Sequence, residues 1–430
     1  MVEQRKPIAV EEAVLRVMDF AYEEKTEIVP LHQAYGRFLA EDIAADQDVP
    51  AFDRSPYDGY AIRSIDSKEA CAEQPTTFHV VGEIGAGYVF DGIVGERQAV
   101  RIMTGAMIPQ GCDAVVMLEI THSFEQDGQA YMSLKRPIQA GTNISYKGED
   151  IQEGAVLITK GQYINPGVVA LLATFGYAEV SVFKKPIIGV LATGSELLEP
   201  HEALQVGKIR NSNAYMVMAQ IERAGASAKY FGQLSDDLDL CIQAVEQALK
   251  EVDILITTGG VSVGDYDYLP AIYKAIGADV LFNKVAMRPG SVTTVAVRNG
   301  QLLYGLSGNP SACYVGFELF TRPIVRAAFH NPQPHLRREQ AVLGADFTKP
   351  NPFTRFVRGA VSLNNGQLIA VPSGFDKSSA VSSLEGANAF IVLPGGSRGY
   401  EQGMQVAVLL LEDMQGSEWP WDKIEKSYRS

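Results

Sequence analysis

From residue 186 onward the chain alternates short apolar runs with segments of helical period, and this alternation restricts the fold more than any other feature. PIIGVLATG is a buried-strand run that ends in a glycine turn, and NSNAYMVMAQIERAGA is a helix capped by Asn or Ser. ASAKYFG reads as a strand, and DDLDLCIQAVEQALKEV as a helix with acidic residues in its first turn, where the helix dipole favours them. DILITTGG follows as a strand, YDYLPAIYKAIGA as a helix, DVLFNKVAM as a strand, QLLYGLSGNP as a strand and turn, and ACYVGFELFTRPIVRAAF as a long helix. Strands alternating with helices predict a parallel, doubly wound sheet. Glycine-rich turns follow three of these strands, at the end of such a sheet where ligands bind.

The flanks read differently. Residues 8–25 are expected to form an amphipathic helix, with Ile8, Val14, Leu15, Val17, Met18 and Tyr22 at helical spacing. Residues 46–60 are a turn-rich loop. From 76 to 160 short β-branched runs alternate with glycine clusters, which predicts a β-rich region. Residues 163–176 return to a short helix, with Pro166 near its start and Gly176 at its end. A second β-rich region, about 340–412, lacks helical period and suits a small barrel or sandwich. Segment 416–430 holds both tryptophans and reads as a flexible tail. A chain of 430 residues, 46 % of them apolar, has material for two to four domains, each with its own core.

Composition excludes several function classes. A net charge of −14 argues against nucleic acid as a partner, because phosphate backbones need clustered Lys and Arg. A small anionic substrate needs only a few placed cations. The N-terminus, MVEQRKPIAVEEAV, is charged and is not a signal peptide, and no apolar stretch is long enough for a membrane span. Cys71, Cys112, Cys241 and Cys313 form no CxxC and read as reduced thiols of a cytoplasmic protein. The six histidines offer no HExxH or HxxxH spacing for zinc.

Chemistry concentrates in the glycine turns. TTGGVSVGDYDY, residues 257–268, places Gly259, Gly260, Ser262 and Gly264 after a strand, where backbone amides can approach phosphate. Asp265 and Asp267 follow, and two carboxylates beside a phosphate-binding turn suit Mg2+. A plain strand–turn–helix with an Asp cap accounts for the same residues. The literal GxSxG at 260–264 invites a serine-hydrolase reading with Ser262 as nucleophile. Against it, TTGG intervenes between strand and Ser, and only His330 and His335 remain downstream to act as base. ATGSEL offers Gly194, Ser195 and the carboxylate of Glu196. LSGNPSA brings Ser307, Gly308, Asn309, Pro310 and Ser311 to the start of the long helix, whose N-terminus favours anions. Lys284 and Arg288 are two cations leaving the sheet that could neutralise an oxyanion, although a lone surface cation is usually only solvated. Outside this region, Asp58 in RSPYDGYA, Thr104 in TGA and Asp150 in KGEDI would be ordinary turn residues in isolation.

Taken together and in this order, SPYDGYA, AVRIMTGAMIPQGCDAVV, KGEDI, LATGSEL, IRNSN, TTGGVSVGDYD, KVAMRPG, GLSGNP and SSLEGANAFIVLP resemble the molybdopterin molybdenumtransferase family, which includes the E domain of gephyrin. The resemblance covers about residues 5–412. It implies a multidomain α/β plus β architecture: a discontinuous N-terminal dimerisation domain (1–45 and 145–183), an inserted β-rich domain (46–144), a doubly wound molybdopterin-binding α/β domain (184–331), a C-terminal β-barrel (332–415) and a tail (416–430). It implies a homodimer whose active site lies at the dimer cleft, and a reaction of adenylylated molybdopterin with molybdate, Mg2+-dependent, that yields molybdenum cofactor and AMP. Contact with the molybdopterin adenylyltransferase and with apo molybdoenzymes would follow. By position in the motifs, Asp267 resembles a metal-binding carboxylate, with Asp236 or Asp237 as its companion. Glu196, Asp58, Thr104 and Asp150 match acidic and polar positions of the catalytic cleft, and Lys284 and Arg288 would hold anionic oxygens. Asn213 of IRNSN, Ser262 and Ser311 would bind substrate, and Arg358, Ser378 and Ser379 resemble molybdate-site residues.

The chain departs from the family pattern in three places. KPGKP is replaced by Arg288-Pro289-Gly290-Ser291-Val292, so one cation is Arg and a second Lys is Ser291. Arg and Lys are not interchangeable at an oxyanion site. PGNP is SGNP, with Ser307 for Pro, and Ser55-Pro56-Tyr57 stands where Ser-Ala-Met is common. Two related readings differ in what they need. A molybdopterin adenylyltransferase would lack the N-terminal insertion and the barrel, and a scaffold would not need Asp267, Glu196 and Lys284 together.

Overall fold

The computed structural model describes residues 6–234, 237–260, 268–350 and 352–421. The chain forms two compact units: Met1–Glu41 with Lys160–Ala170 and Ala178–Ser430, and Asp42–Thr159 with Leu171–Tyr177.

The larger unit is built on a six-stranded sheet in the order Ser227–Leu234, Ile187–Thr193, Ile254–Thr258, Gln301–Leu306, Thr294–Arg298, Asp279–Phe282. The first four strands are parallel, as the alternation predicts. Thr294–Arg298 corrects the expectation of an all-parallel sheet, because it runs antiparallel to both neighbours. Its hairpin partner begins after Asn299-Gly300, both at positive φ (51° and 82°). Such a two-residue turn matches the twist of paired strands. The central strands Ile187–Thr193 and Ile254–Thr258 are buried almost throughout, the behaviour of strands covered on both faces.

Helix Asn213–Ala224 buries Ala214, Val217 and Ile221 and ends at Gly225, φ 104°. Its cap is supplied not by Ser212, which makes no side-chain cap bond, but by Asn211, whose Oδ1 accepts from the Ala214 N–H at 3.2 Å. The expected long helix runs from Pro310 to Ala328, with a π-helical turn at Phe317–Thr321. The N-terminal helix is shorter than the apolar spacing suggests, Val10–Met18. It buries Val10, Ala13, Val14 and Val17, while Leu15 faces solvent. Helix Pro166–Thr174 forms as expected, with Gly176 at φ 75° beyond it.

The second β-rich region closes on itself. Thr354–Asn364 pairs with Gln367–Pro372, that strand with His335–Leu343, then Gln405–Leu410, then Ala389–Leu393, which pairs back to Thr354–Asn364. This five-strand ring is a barrel. Val357, Ile391, Leu393, Val406 and Val408 fill one core, and the alternate residues Phe356, Phe390, Val392, Ala407 and Leu409 join the core of the α/β sheet. Period-two alternation thus serves two cores at once.

Residues 416–421 correct the expectation of a flexible tail. Gly416–Ser417 pairs with His335–Leu336, and Trp421, 7 % exposed, meets Phe356 edge-on at 6.2 Å. Trp419 packs on the His335 ring at 5.8 Å. Residues 422–430 lie outside the described residues.

The smaller unit holds a six-stranded mixed sheet in the order Ala114–Met117, Gly59–Ile62, Gln98–Ile102, Thr76–Ile84, Gln129–Leu134, Thr121–Gln126. Its faces carry two separate cores, one around Phe78 and Met132 and one around Val100 and Ile102. No helix among the described residues is long and apolar enough to cross a membrane.

Candidate active site

Three turns converge at the C-terminal ends of adjacent strands in the α/β sheet. The Gly259 N–H donates to Leu306 O at 2.8 Å, and the Thr193 hydroxyl donates to Thr258 O at 3.2 Å. A Cβ on Gly259 (φ 91°) would lie 2.7 Å from Thr193 O, so only glycine permits this approach, and a Cβ on Gly308 would stand 3.6 Å from the Gly259 Cα. Gly194 (φ 133°) is overlain by its own neighbour, with a Glu196 carboxylate oxygen 2.5 Å from where a Cβ would stand. Glu196 and Ser195 are exposed, and Lys208 donates to Ser195 O. Asn213 Nδ2 donates to Gly308 O at 2.8 Å and pins the SGNP turn. Ser307 is buried and accepts from the Asn309 N–H at 3.2 Å, and Pro310 occupies the first turn of the helix. Gly260 continues the turn at φ 64°. Ser262, Gly264, Asp265 and Asp267, with Asp236, lie outside the described residues. Asp237 caps helix Leu238–Leu249, its side chain accepting from the Leu240 N–H at 3.0 Å. Among the described residues, no group of three His, Cys, Asp or Glu is arranged to hold a metal.

Beside these turns lies a cationic pocket of about 390 Å³. Strand Met287–Arg288 pairs in parallel with Thr354–Arg355 of the barrel, and the register sets Arg288 opposite Arg355. Like charges in direct register repel unless an anion offsets them. Arg358, 1 % exposed, lines the same pocket with Ser291, Ser307, Asn309 and the loop residues Asp376, Lys377 and Ser378. Ser311 fastens that loop: its N–H donates to Ser378 O at 3.0 Å and its hydroxyl to Ala380 O at 2.7 Å. The donors of Ser311 are therefore spent on structure and are not aimed at a ligand. Ser379 is exposed. Lys284 is half-buried, outside the pocket lining, with its carbonyl accepting from the Ile8 N–H at 3.1 Å.

Arg355, Asp376 and Lys377 are pocket residues that the motifs did not single out. The signal available was RFVR followed by FDKSS, a pair of cations and a charged turn in an otherwise apolar β region. The pairing of Arg288 with Arg355 crosses two domains and has no local signature.

The smaller unit assembles a second cluster from three distant loops. Asp58 Oδ1 accepts from the Thr104 N–H at 2.7 Å and from the Thr104 hydroxyl at 2.8 Å. The Thr104 amide, then its hydroxyl, hold the exposed Asp58 carboxyl below its usual pKa. Gly59 is required because a Cβ would lie 2.2 Å from Val116 O. Arg54 bridges to both Met107 and Ser145, and the Asp150 N–H donates to Val49 O at 3.0 Å. Asp150 with Glu149 and Arg54 lines a pocket of about 420 Å³ that Asp58 and Thr104 do not line.

The two histidines of the hydrolase reading are both engaged by protein groups. His335 is buried against Trp419, and His330 Nδ1 lies 3.0 Å from Glu23.

With this geometry in place, similarity decides the family. The chain is 60 % identical to the molybdopterin molybdenumtransferase of Bacillus subtilis (strain 168), over 99 % of each chain. The chain belongs to the molybdopterin molybdenumtransferase family. The protein of that name from Staphylococcus aureus (strain Mu50) is 51 % identical over 96 % of this chain and 97 % of its own. Family models match in order: the MoeA N-terminal region (domain I and II) at residues 8–176, a probable molybdopterin binding domain at 189–327, and the MoeA C-terminal region (domain IV) at 340–411. A molybdopterin biosynthesis moeA protein from Pyrococcus horikoshii OT3 shares the fold with a TM-score of 0.79 at 32 % identity, covering 94 % of this chain and all of that one. In the terms of the molybdenumtransferase family, the glycine turns belong to the molybdopterin-binding region and the cationic pocket lies where that region meets domain IV.

Proposed function

We propose that the chain inserts molybdate into adenylylated molybdopterin, releasing AMP and forming molybdenum cofactor, and that the pocket between Arg288 and Arg358 holds the oxyanion. The observation that carries this reading is the pocket itself: Arg288, Arg355, Arg358 and Lys377 face one cavity in a chain whose net charge is −14. Guanidinium groups suit a tetrahedral oxyanion through planar paired donors. The SGNP turn, with Gly308 exposed between the lining residues Ser307 and Asn309, lies beside it and suits the phosphates of the pterin substrate. Cleaving a phosphoanhydride requires charge to be neutralised on its oxygens, and fixed cations aimed at that charge do so without reorganisation.

Mg2+ dependence belongs to the same proposal. Of the described residues, Glu196 offers an exposed carboxylate over the Gly194 turn, and a single carboxylate with phosphate oxygens and water suits Mg2+. Asp267 and Asp236 would complete the set from outside the described residues. The ion would neutralise charge on the phosphates during cleavage. We further place Asp58, Thr104 and Asp150 in a homodimeric cleft opposite the partner's glycine turns. We divide the chain at 1–45 with 145–183, 46–144, 184–331 and 332–415. A cytoplasmic location and contacts with the adenylyltransferase and apo molybdoenzymes complete the proposal.

The test mixes purified protein with adenylylated molybdopterin, molybdate and Mg2+ and follows AMP release beside activation of an apo molybdoenzyme. Molybdate-dependent release with activation is expected, and EDTA should abolish it. A folded protein that binds molybdopterin yet gives neither signal would overturn the reading.

A further inference from the structure

The cationic pocket contains a carboxylate. Asp376 Oδ2 accepts from Arg355 Nη1 at 2.9 Å and from Lys349 Nζ at 3.2 Å, and Oδ1 accepts from Arg358 Nη1 at 3.1 Å. A pocket that only had to attract anions would exclude this charge. Arg358 spends its other donors nearby: Nε reaches Ser383 Oγ at 3.3 Å, and Nη2 reaches Phe375 O at 3.4 Å and Lys377 O at 3.3 Å. Two of these acceptors, Phe375 O and Lys377 O, lie on the loop that carries Asp376. Arg358 and Asp376 therefore fix each other and the loop. Arg288, in contrast, is exposed at the pocket's opposite strand, and Lys377 is an exposed residue of the lining whose ammonium lies 4.9 Å from the Phe375 ring.

We propose that Asp376 is a positioning and specificity-determining residue of this pocket: it holds Arg355 and Arg358 in place and, by its charge, confines a bound oxyanion to the Arg288–Lys377–Ser378 side. The inference rests on the reading of the pocket as the molybdate site. Its physical content is an electrostatic compromise. The lining carries four cations, Arg288, Arg355, Arg358 and Lys377, and one carboxylate, so its formal charge is 4 − 1 = +3. In register, Arg288 and Arg355 would repel without a nearby anion. Asp376 supplies that anion whether or not ligand is bound, which keeps the pocket ordered when empty. The same charge repels a dianion, so affinity is held below what the cations alone would give, and the anion can leave for the pterin.

The experiment is a titration of the full-length protein with sodium molybdate, and separately with tungstate and sulfate, by calorimetry at two ionic strengths. Asp376→Asn keeps one acceptor oxygen, enough for one of the two arginines, and removes the charge. We expect it to bind molybdate roughly three- to tenfold more tightly with a steeper salt dependence, as removal of one like charge near a dianion requires. Discrimination against sulfate should narrow. Under turnover, KM for molybdate should fall and kcat should fall with it. Asp376→Ala removes acceptor and charge together and should bind less tightly than Asp376→Asn, because the guanidiniums lose their anchor. Arg288→Gln distinguishes a pocket that does not hold molybdate from an Asp376 that does not shape the pocket. If Arg288→Gln binds molybdate as the parent does, the pocket is not the molybdate site and the inference falls with that reading. If Arg288→Gln weakens binding but Asp376→Asn leaves it unchanged or weaker at unchanged Tm, the pocket reading stands and the role of Asp376 is overturned.

Discussion

At the scale of single residues, burial decides which charges matter. Glu318 is 1 % exposed and accepts from Gln220 at 2.7 Å and Arg223 at 2.5 Å, with Arg322, itself buried, at 3.4 Å. It is the carboxylate that balances two arginines inside the long helix's packing. Glu318→Ala would leave the buried Arg322 without its carboxylate in a low-dielectric interior, and such breakage costs about 3–5 kcal/mol. Urea denaturation should show that loss with an unchanged fold at low temperature, and a loss below ~1 kcal/mol would mean that water reaches Arg322. His335 makes the opposite case. Burial pushes its pKa down from 6.5 to about 4, so the folded protein keeps it neutral. Between those values the unfolded chain binds the extra proton, and stability therefore falls as pH drops from 6.5 to about 4 and does not fall further from this group below that. The shift corresponds to about 3 kcal/mol. Tm measured across that window should decline less steeply in His335→Asn than in the parent protein.

At the scale of elements, turn chemistry sets what the sheet can be. The antiparallel strand Thr294–Arg298 exists because Asn299 and Gly300 adopt left-handed backbone and return the chain as Gln301–Leu306. Nothing lies within 4 Å of a Cβ added at Gly300, so the only penalty of Gly300→Ala is its positive φ. A loss of about 1 kcal/mol is expected. Guanidinium denaturation measures it, and a neutral result would show that the turn relaxes to another type. The NG pair between two apolar runs was readable in the sequence as a hairpin. The strand–helix alternation of 186–328 by itself predicts a uniformly parallel sheet and does not register this turn. An Asn or Ser cap for helix Asn213–Ala224 was readable, whereas the choice of Asn211 over Ser212 and the shortened first helix were not. Leu15 obeys the helical spacing yet faces solvent, because spacing states which residues share a face and packing states which face is covered.

At the scale of the whole molecule, the barrel is bound to the α/β sheet by a shared core rather than by a linker alone. Phe356 and Phe390 stand on barrel strands yet pack into the core of the α/β sheet, and the chain returns after the barrel to place Trp421 on Phe356. Trp421→Ala should cost about 3–5 kcal/mol, the range for deleting a buried Trp side chain. It should also weaken molybdate binding, since Phe356 lies between Arg355 and Val357 on the strand that borders the pocket. Thermal unfolding and calorimetry test the two effects separately. A stable variant with unchanged anion affinity would place the tail outside the site's support.

The sequence by itself determined the family, the α/β core with its glycine turns, the second β-rich region and the positions Arg288, Ser307, Asn309, Arg358 and Ser378 of the pocket. These are encoded locally, in periodicity and in motifs that a turn or a phosphate contact requires. Tertiary structure alone decided that Arg288 meets Arg355, that Asp376 joins three cations, that Ser311 fastens a loop instead of facing a ligand, and that the Trp419–Trp421 segment is core. Each of these depends on partners 18 to 84 residues away, such as Ser311 with Ala380, whose meeting is fixed by strand register and core packing and leaves no periodic trace in the chain.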